Sequence, residues 1–213
     1  MGILDDWKAK KQKAALERTR NPGAGPGHGR LPPGQVETKK WPVLHVGSPP
    51  RFEPATWDLR VFGAVEAPLW LGWEELRALP MVEATSDFHC VTRWSRYDNR
   101  WRGVSWAEVE GRVRPRPSAR FVIFHADGGY TTNIALEDAR REGVLLALEH
   151  DGAPLAPEHG GPLRAVVPHL YGWKSAKWLR GIELSATDKP GYWETRGYHN
   201  RADPWLEQRF SED

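Results

Sequence analysis

From Trp41 onward the chain is cut into short stretches that switch between strand and helix spacing, with glycine or proline between many of them. That punctuation is the strongest constraint on the fold. A doubly wound sheet needs regular alternation of strand and helix, and none is present. Residues 56–65, TWDLRVFGAV, alternate Trp57, Leu59 and Val61 against Asp58, Arg60 and Phe62, a strand pattern. Strands are also predicted over 81–88, 119–127, 144–150, 162–168 and 176–184. Helical spacing marks 71–79, stopped by Pro80, and again 104–113 and 135–142. Asp151-Gly152 has the chemistry of a hairpin turn. The tail from Asp188 is aromatic and charged with little periodicity, and no internal repeat occurs. The expected class is α+β, with mixed β-sheets and short helices.

The first residues differ from this body. LDDWKAKKQKAALER, 4–18, reads as a short helix with a thin apolar stripe of Leu4, Trp7 and Leu16. It is either an exposed appendage or a basic arm that touches a partner. Residues 21–35 are dominated by glycine and proline, a linker composition. The expected organisation is an arm and linker over 1–35 and one domain over 36–213, with its apolar pattern starting near Trp41.

Hydrophobic residues make up 39% and aromatics 11%, enough to build a core without staples. Twelve tryptophans each bring a large surface and an N–H that wants a partner. The 30 basic and 28 acidic side chains leave a formal charge of +2, so no field directed at nucleic acid or anionic membrane follows. No apolar run reaches transmembrane length, and the charged start carries no apolar signal core. The expectations are a cytoplasmic protein, no membrane insertion and no nucleic-acid partner.

The single cysteine, Cys90 in DFHCVTRW (87–94), has no disulfide partner within the chain. It is a packing residue, a nucleophile paired with His45, His159 or His169, or a ligand to a group the protein does not make itself. Zinc is poorly supported, because Cys-x-x-Cys and His-Glu-x-x-His are absent and the eight histidines are scattered. A second constellation lies in EHGGPLRAVVPHLYGWKSAKWLRGIEL, 158–184. Arg164, Lys174 and Lys177 bracket a strand–loop–strand unit with glycines that permit close backbone approach. Such a unit is either a phosphate cradle or a solvated basic loop at a sheet edge.

Taken together, WPVLHVG, DFHCVTRW, HADGGYT, EHGGPLRAVVP and WKSAKWLRGIEL occur in an order that resembles the molybdopterin-binding domain of the sulfite oxidase family. The similarity covers roughly residues 40–200 and is nearest to the small stand-alone prokaryotic members. It implies a molybdenum held by the pterin dithiolene, with Cys90 as the protein's thiolate ligand and catalytic centre. A soft thiolate suits a metal already bound by sulfur. It also implies that the pterin and its phosphate lie among Val43, Leu44, His45, Asp127, His159, Arg164, Ser175, Ala176 and Lys177. Arg164 and Lys177 would neutralise phosphate, and His45 and His159 would hydrogen-bond the pterin side. Lys174 either joins the phosphate or lies on the rim, and Asp127 is equally readable as a turn residue before Gly128-Gly129.

The implied activity is two-electron oxygen-atom transfer to or from a small oxo-donor or oxo-acceptor, with electrons exchanged with a separate redox partner. The pattern departs from sulfite oxidases proper at the anion pocket. Those enzymes carry one arginine in the segment equivalent to PVLH and another shortly after the cysteine. Here the first slot is Val43, and the basic residues after Cys90 are Arg93 and Arg96, in different places. The chain shows neither the fused haem domain nor the dimerisation domain of the eukaryotic enzymes. Arg93, Trp94 and Tyr97 are candidates for the pocket mouth or for structure alone. Two other classes remain open at this point: a cofactor carrier or store without turnover, and a non-enzymatic partner-binding module.

Overall fold

A computed structural model describes residues 29–213. The helix expected over 4–18 and the linker residues 21–28 lie outside the described residues. In chain order the elements are β1 (Val36–Glu37), β2 (Asp58–Gly63), β3 (Leu69–Gly72), α1 (Trp73–Arg77), β4 (Val82–His89) and β5 (Trp94–Ser105). There follow α2 (Trp106–Val113), β6 (Phe121–Ala126), β7 (Thr131–Ala135), α3 (Leu136–Ala139) and β8 (Leu145–His150). β9 (Ala153–Pro154), β10 (Arg164–Val166) and β11 (Leu179–Ser185) complete the set.

Two sheets result. One runs β1-β5-β8-β10, with β4 also on β5 and β9 on β8. The other runs β3-β2-β11-β6-β7. Both are mixed: β1 lies parallel to β5 and β2 parallel to β11, while the remaining pairs are antiparallel. This is the α+β architecture that the irregular alternation predicts. The main core joins Leu59, Val61, Val122, Phe124 and Ile182 of the second sheet to Val104, Leu146 and Ala165 of the first. A second apolar cluster, with Phe88, Trp101, Leu145 and Val166, takes in the partly buried Trp41 and Trp94.

Local chemistry explains the element ends. Ser105 caps α2 by accepting from the Glu108 N–H at 3.2 Å, and Trp106, Val109 and Val113 are its buried face. Asp151 and Gly152 both have positive φ, 50° and 83°, in the tight turn that pairs β8 with β9.

The structure differs from the sequence expectation in several places: of the helix expected over 135–142 only Leu136–Ala139 is helical, and β7 lies where no strand was expected. The segment 71–79 opens as the last residues of β3, and only Trp73–Arg77 is helical. The segment 104–113 likewise begins as strand, with the helix starting at Trp106. β5, the longest strand, carries no apolar alternation, because several of its inward positions are Ser95, Asn99 and Gly103. Asn99 is fully buried and satisfied: its amide donates to the carbonyls of Ser86 and Arg96 at 3.1 and 2.8 Å. Here hydrogen bonding replaces the hydrophobic pattern that normally marks a strand.

Candidate cofactor cleft and active site

β4 ends at His89 and delivers Cys90 into a tight turn before β5. The turn is closed by Cys90 N–H to Trp94 carbonyl at 2.9 Å and by Arg93 N–H to Cys90 carbonyl at 3.0 Å. Arg93 takes a left-handed backbone, φ 68°. From the other side of the chain, Gln35 Nε2 donates to the Cys90 carbonyl at 3.1 Å. β1 lies alongside, with Val36 N–H bonded to the Arg93 carbonyl at 2.9 Å.

Cys90 faces an open cleft. Its walls include Leu44, His45, Trp94, Arg164, Ser175, Ala176 and Lys177, together with an aromatic group of Tyr130, Trp173, Trp193 and Tyr198. Seven sequence candidates therefore meet at one cleft: Leu44, His45, Cys90, Arg164, Ser175, Ala176 and Lys177. His159 stands just behind the wall, stacked on Trp41 with ring centroids 3.8 Å apart. Val43 and Asp127 are not brought to the cleft. Val43 is 46% exposed, and the Asp127 carboxylate turns to Arg180 at 3.4 Å. His169 binds Asp138 at 3.1 Å instead of approaching the cysteine. Among the described residues no group of three His, Cys, Asp or Glu is placed to hold a metal.

The cationic side of the cleft is electrostatically incomplete. Arg164 is 1% exposed, and its guanidinium donates to the carbonyls of His159 at 2.8 Å and Ser175 at 3.0 Å, not to a carboxylate. Burial lowers its pKa to about 10, so it is still charged at neutral pH. Lys177 Nζ donates to the carbonyls of Glu158 at 2.6 Å and Leu44 at 3.0 Å. Burial, and then repulsion from Arg164, push Lys177 down to about 7. His159 is lowered to about 4 by burial and then by Lys177 and Arg164, and its buried Nδ1 has no hydrogen-bond partner. Buried charge without a counter-ion is costly. The guanidinium and the ammonium bond carbonyls and no carboxylate, and a pterin phosphate would match them.

Glycine makes the cradle possible. A Cβ on Gly160, φ 105°, would come within 2.9 Å of Lys177 Cβ. A Cβ on Gly172 would meet the Phe88 ring at 2.5 Å. The Ser175 hydroxyl accepts from the Val167 N–H at 2.9 Å, which pins the loop that carries Ala176 and Lys177.

Lys174, one of the two-way readings, does neither of the things considered for it. Its ammonium is fully buried and pairs with Glu194 at 2.5 Å, with further bonds to the Asn133 carbonyl at 2.8 Å and side-chain oxygen at 3.0 Å. Glu194 also accepts from Trp173 Nε1 at 2.9 Å and Thr132 Oγ1 at 2.8 Å. This network fixes Trp173 in the wall of the cleft.

Of the three candidates for the mouth, only Trp94 lines the cleft. Arg93 Nη1 reaches the Gly34 carbonyl at 3.5 Å, and Tyr97 sits beneath the Arg30 guanidinium at 4.7 Å. Arg96 pairs with Asp151 at 2.6 Å. Around Cys90 the packing is aromatic instead: it contacts a cluster of Val91, Tyr171, Trp173 and Tyr198. Burial raises the Cys90 thiol, offset in part by a 3.1 Å hydrogen bond with Thr92 Oγ1. Burial, and then the neighbouring Cys90, push the Tyr198 phenol upward, so it stays protonated. Thr92, Tyr130, Trp173, Trp193 and Tyr198 were not singled out in the sequence as cofactor contacts. For Trp193 and Tyr198 the one visible trace there is the aromatic density of the tail.

Comparison with known proteins places this cleft. The family model described as the oxidoreductase molybdopterin binding domain matches residues 45–193. The oxidoreductase YuiH of Bacillus subtilis (strain 168) is 50% identical over 186 residues, 87% of this chain and 94% of that protein. The protein-methionine-sulfoxide reductase catalytic subunit MsrP of Campylobacter jejuni is 28% identical, over 68% of this chain and 54% of its own length. This chain therefore spans about half of that relative. The sulfane dehydrogenase SoxCD of Paracoccus pantotrophus matches in fold with a TM-score of 0.62 and 20% identity, over 74% of this chain and 46% of that one. The carrier and partner-module readings give way to an enzyme. The chain belongs to the oxidoreductase molybdopterin-binding domain family and is a molybdopterin-dependent oxidoreductase.

Proposed function

We propose that the enzyme reduces a small, neutral oxo-donor of the sulfoxide or N-oxide type, with electrons from a separate redox partner. One observation carries this reading. The cations that line the cleft, Arg164 and Lys177, belong to the 158–177 unit, where a pterin phosphate would take them up, while the side chains packed around Cys90 are aromatic and apolar. A dianion such as sulfite needs preorganised cationic donors at the reacting centre. Arg93 and Arg96 are directed to Gly34 and Asp151 instead. Relatives named as protein-methionine-sulfoxide reductases support the same direction.

When bound, the molybdenum-pterin group supplies two-electron oxygen-atom transfer chemistry. The residues of the chain do the rest. Cys90 supplies the thiolate ligand. Arg164 and Lys177 hold the phosphate, and His45, His159 and the backbone at Leu44 and Ser175–Lys177 border the pterin. Tyr198, kept protonated, donates a hydrogen bond to the substrate oxygen. The overall change is balanced: a sulfoxide takes two electrons and two protons and gives a sulfide and water. Loaded protein with a reduced viologen dye and a dialkyl sulfoxide tests this. The expected result is one sulfide formed for every two dye electrons consumed. Dye oxidation without sulfide would overturn the proposal.

A further inference from the structure

The hydroxyl of Thr92 lies 3.1 Å from the Cys90 sulfur. The two groups share a turn held at several points. Cys90 N–H and the Arg93 N–H close it internally, and Gln35 Nε2 grips the Cys90 carbonyl from outside. Val36 N–H and Thr38 N–H bond the carbonyls of Arg93 and Ser95 at 2.9 and 2.8 Å, which ties the start of the domain to this turn. The turn that presents the hydroxyl to the sulfur is therefore held by hydrogen bonds on both sides of Thr92, and the branched threonine side chain has few χ1 states. A ligating thiolate has no proton to give, so in that state the hydroxyl must be the donor.

We infer that Thr92 is a positioning residue that sets the reduction potential of the metal centre through its hydrogen bond to Cys90. The inference rests on Cys90 being the thiolate ligand. A hydrogen bond to ligand sulfur withdraws electron density and weakens its donation to the metal, which disfavours the oxidised state. Removing it lowers the potential. Valine matches threonine in shape and lacks only the hydroxyl, while serine keeps it.

The test is an EPR-monitored redox titration of molybdenum-loaded full chain, with released pterin measured on the same samples. In Thr92→Val the midpoint falls, by about a tenfold change in the oxidised-to-reduced ratio at fixed poise, or ~59 mV for a one-electron couple. Pterin content stays at the parent level, and Thr92→Ser titrates like the parent. A Thr92→Val midpoint equal to the parent, or equal shifts in the valine and serine variants, overturns the inference. X-ray absorption on the parent and Cys90→Ser separates the premise. Loss of one Mo–S bond in the serine variant upholds the ligand. An unchanged count removes the ligand assignment and the role of Thr92 with it.

Discussion

Lys177 is where pH enters the account. Its pKa lies near 7 in the cofactor-free protein, against about 10.5 in an unfolded chain, because burial and Arg164 oppose its charge. Phosphate binds the protonated ammonium. Below about pH 7 the charge is already present, and above it each binding event must also take up a proton. Cofactor affinity is therefore expected to fall as pH rises from about 7, by up to roughly tenfold per unit. Fluorescence titration of released pterin into cofactor-free protein measures this. In Lys177→Met that slope should vanish, and affinity at pH 6 should drop. A charge-assisted hydrogen bond is worth about 1.5–3 kcal/mol, so the drop is roughly ten- to hundredfold. An unchanged affinity would show that the lysine does not touch phosphate. Cys90→Ser should behave in the opposite way, keeping pterin bound through these contacts while losing turnover, since an oxygen ligand is a poor substitute for a soft thiolate. Full turnover in that variant would remove Cys90 from the metal.

Among the elements, the loops from Tyr171 to Trp178 and from Gly191 to Tyr198 carry Trp173, Trp178, Trp193 and Tyr198 of the aromatic wall, and one buried pair joins them. Lys174 and Glu194 are 0% and 1% exposed in their side chains. Removing one partner strands the other, which costs about 3–5 kcal/mol. Glu194→Ala should lower the melting temperature by roughly 10 °C in a chain of this size, and it frees the Trp173 indole as well. The Lys174→Met, Glu194→Leu double variant should recover much of that loss. A single variant that melts with the parent would show that the network is dispensable. The elements also mark where the sequence was readable. β2, β6 and β8 announce themselves by apolar spacing, and the Asp151-Gly152 turn by its chemistry. β5 does not, because Ser95 and Asn99 occupy buried positions through hydrogen bonds. The cleft shows the same division. Cys90, Arg164 and Lys177 were legible because each sits in a motif with a fixed order. Thr92 was hidden because only the turn brings its hydroxyl onto the sulfur. Tyr198 was hidden because only the fold brings the aperiodic tail back to residue 90.

At the scale of the whole molecule, two mixed sheets form a frame and the cleft is assembled from six separate stretches of chain, around residues 41–46, 88–94, 130, 164, 172–178 and 193–198. No helix among the described residues is long and apolar enough to cross a membrane. On the proposed function electrons arrive from a separate partner, and the substrate end of the cleft decides what they reduce. In the proposed account that decision lies with Val91, Trp173 and Tyr198, the side chains packed around Cys90, while the Arg164 guanidinium is held by the carbonyls of His159 and Ser175. Tyr198→Phe should cut sulfoxide turnover by about a hundredfold while leaving pterin content intact, because it removes one donor to the reacting oxygen. Parent-like rates would place that donor elsewhere.

The most direct test compares kcat/KM on one preparation of molybdenum-loaded protein. A sulfoxide is supplied with a reduced viologen dye, and sulfite with an artificial electron acceptor. The account predicts efficient sulfoxide reduction, weak or absent sulfite oxidation, and no change in that ranking in Arg93→Ala. Efficient sulfite turnover that collapses in Arg93→Ala would contradict it, and would mean that the arginine after the cysteine swings into the cleft and builds the anion pocket that Val43 cannot supply.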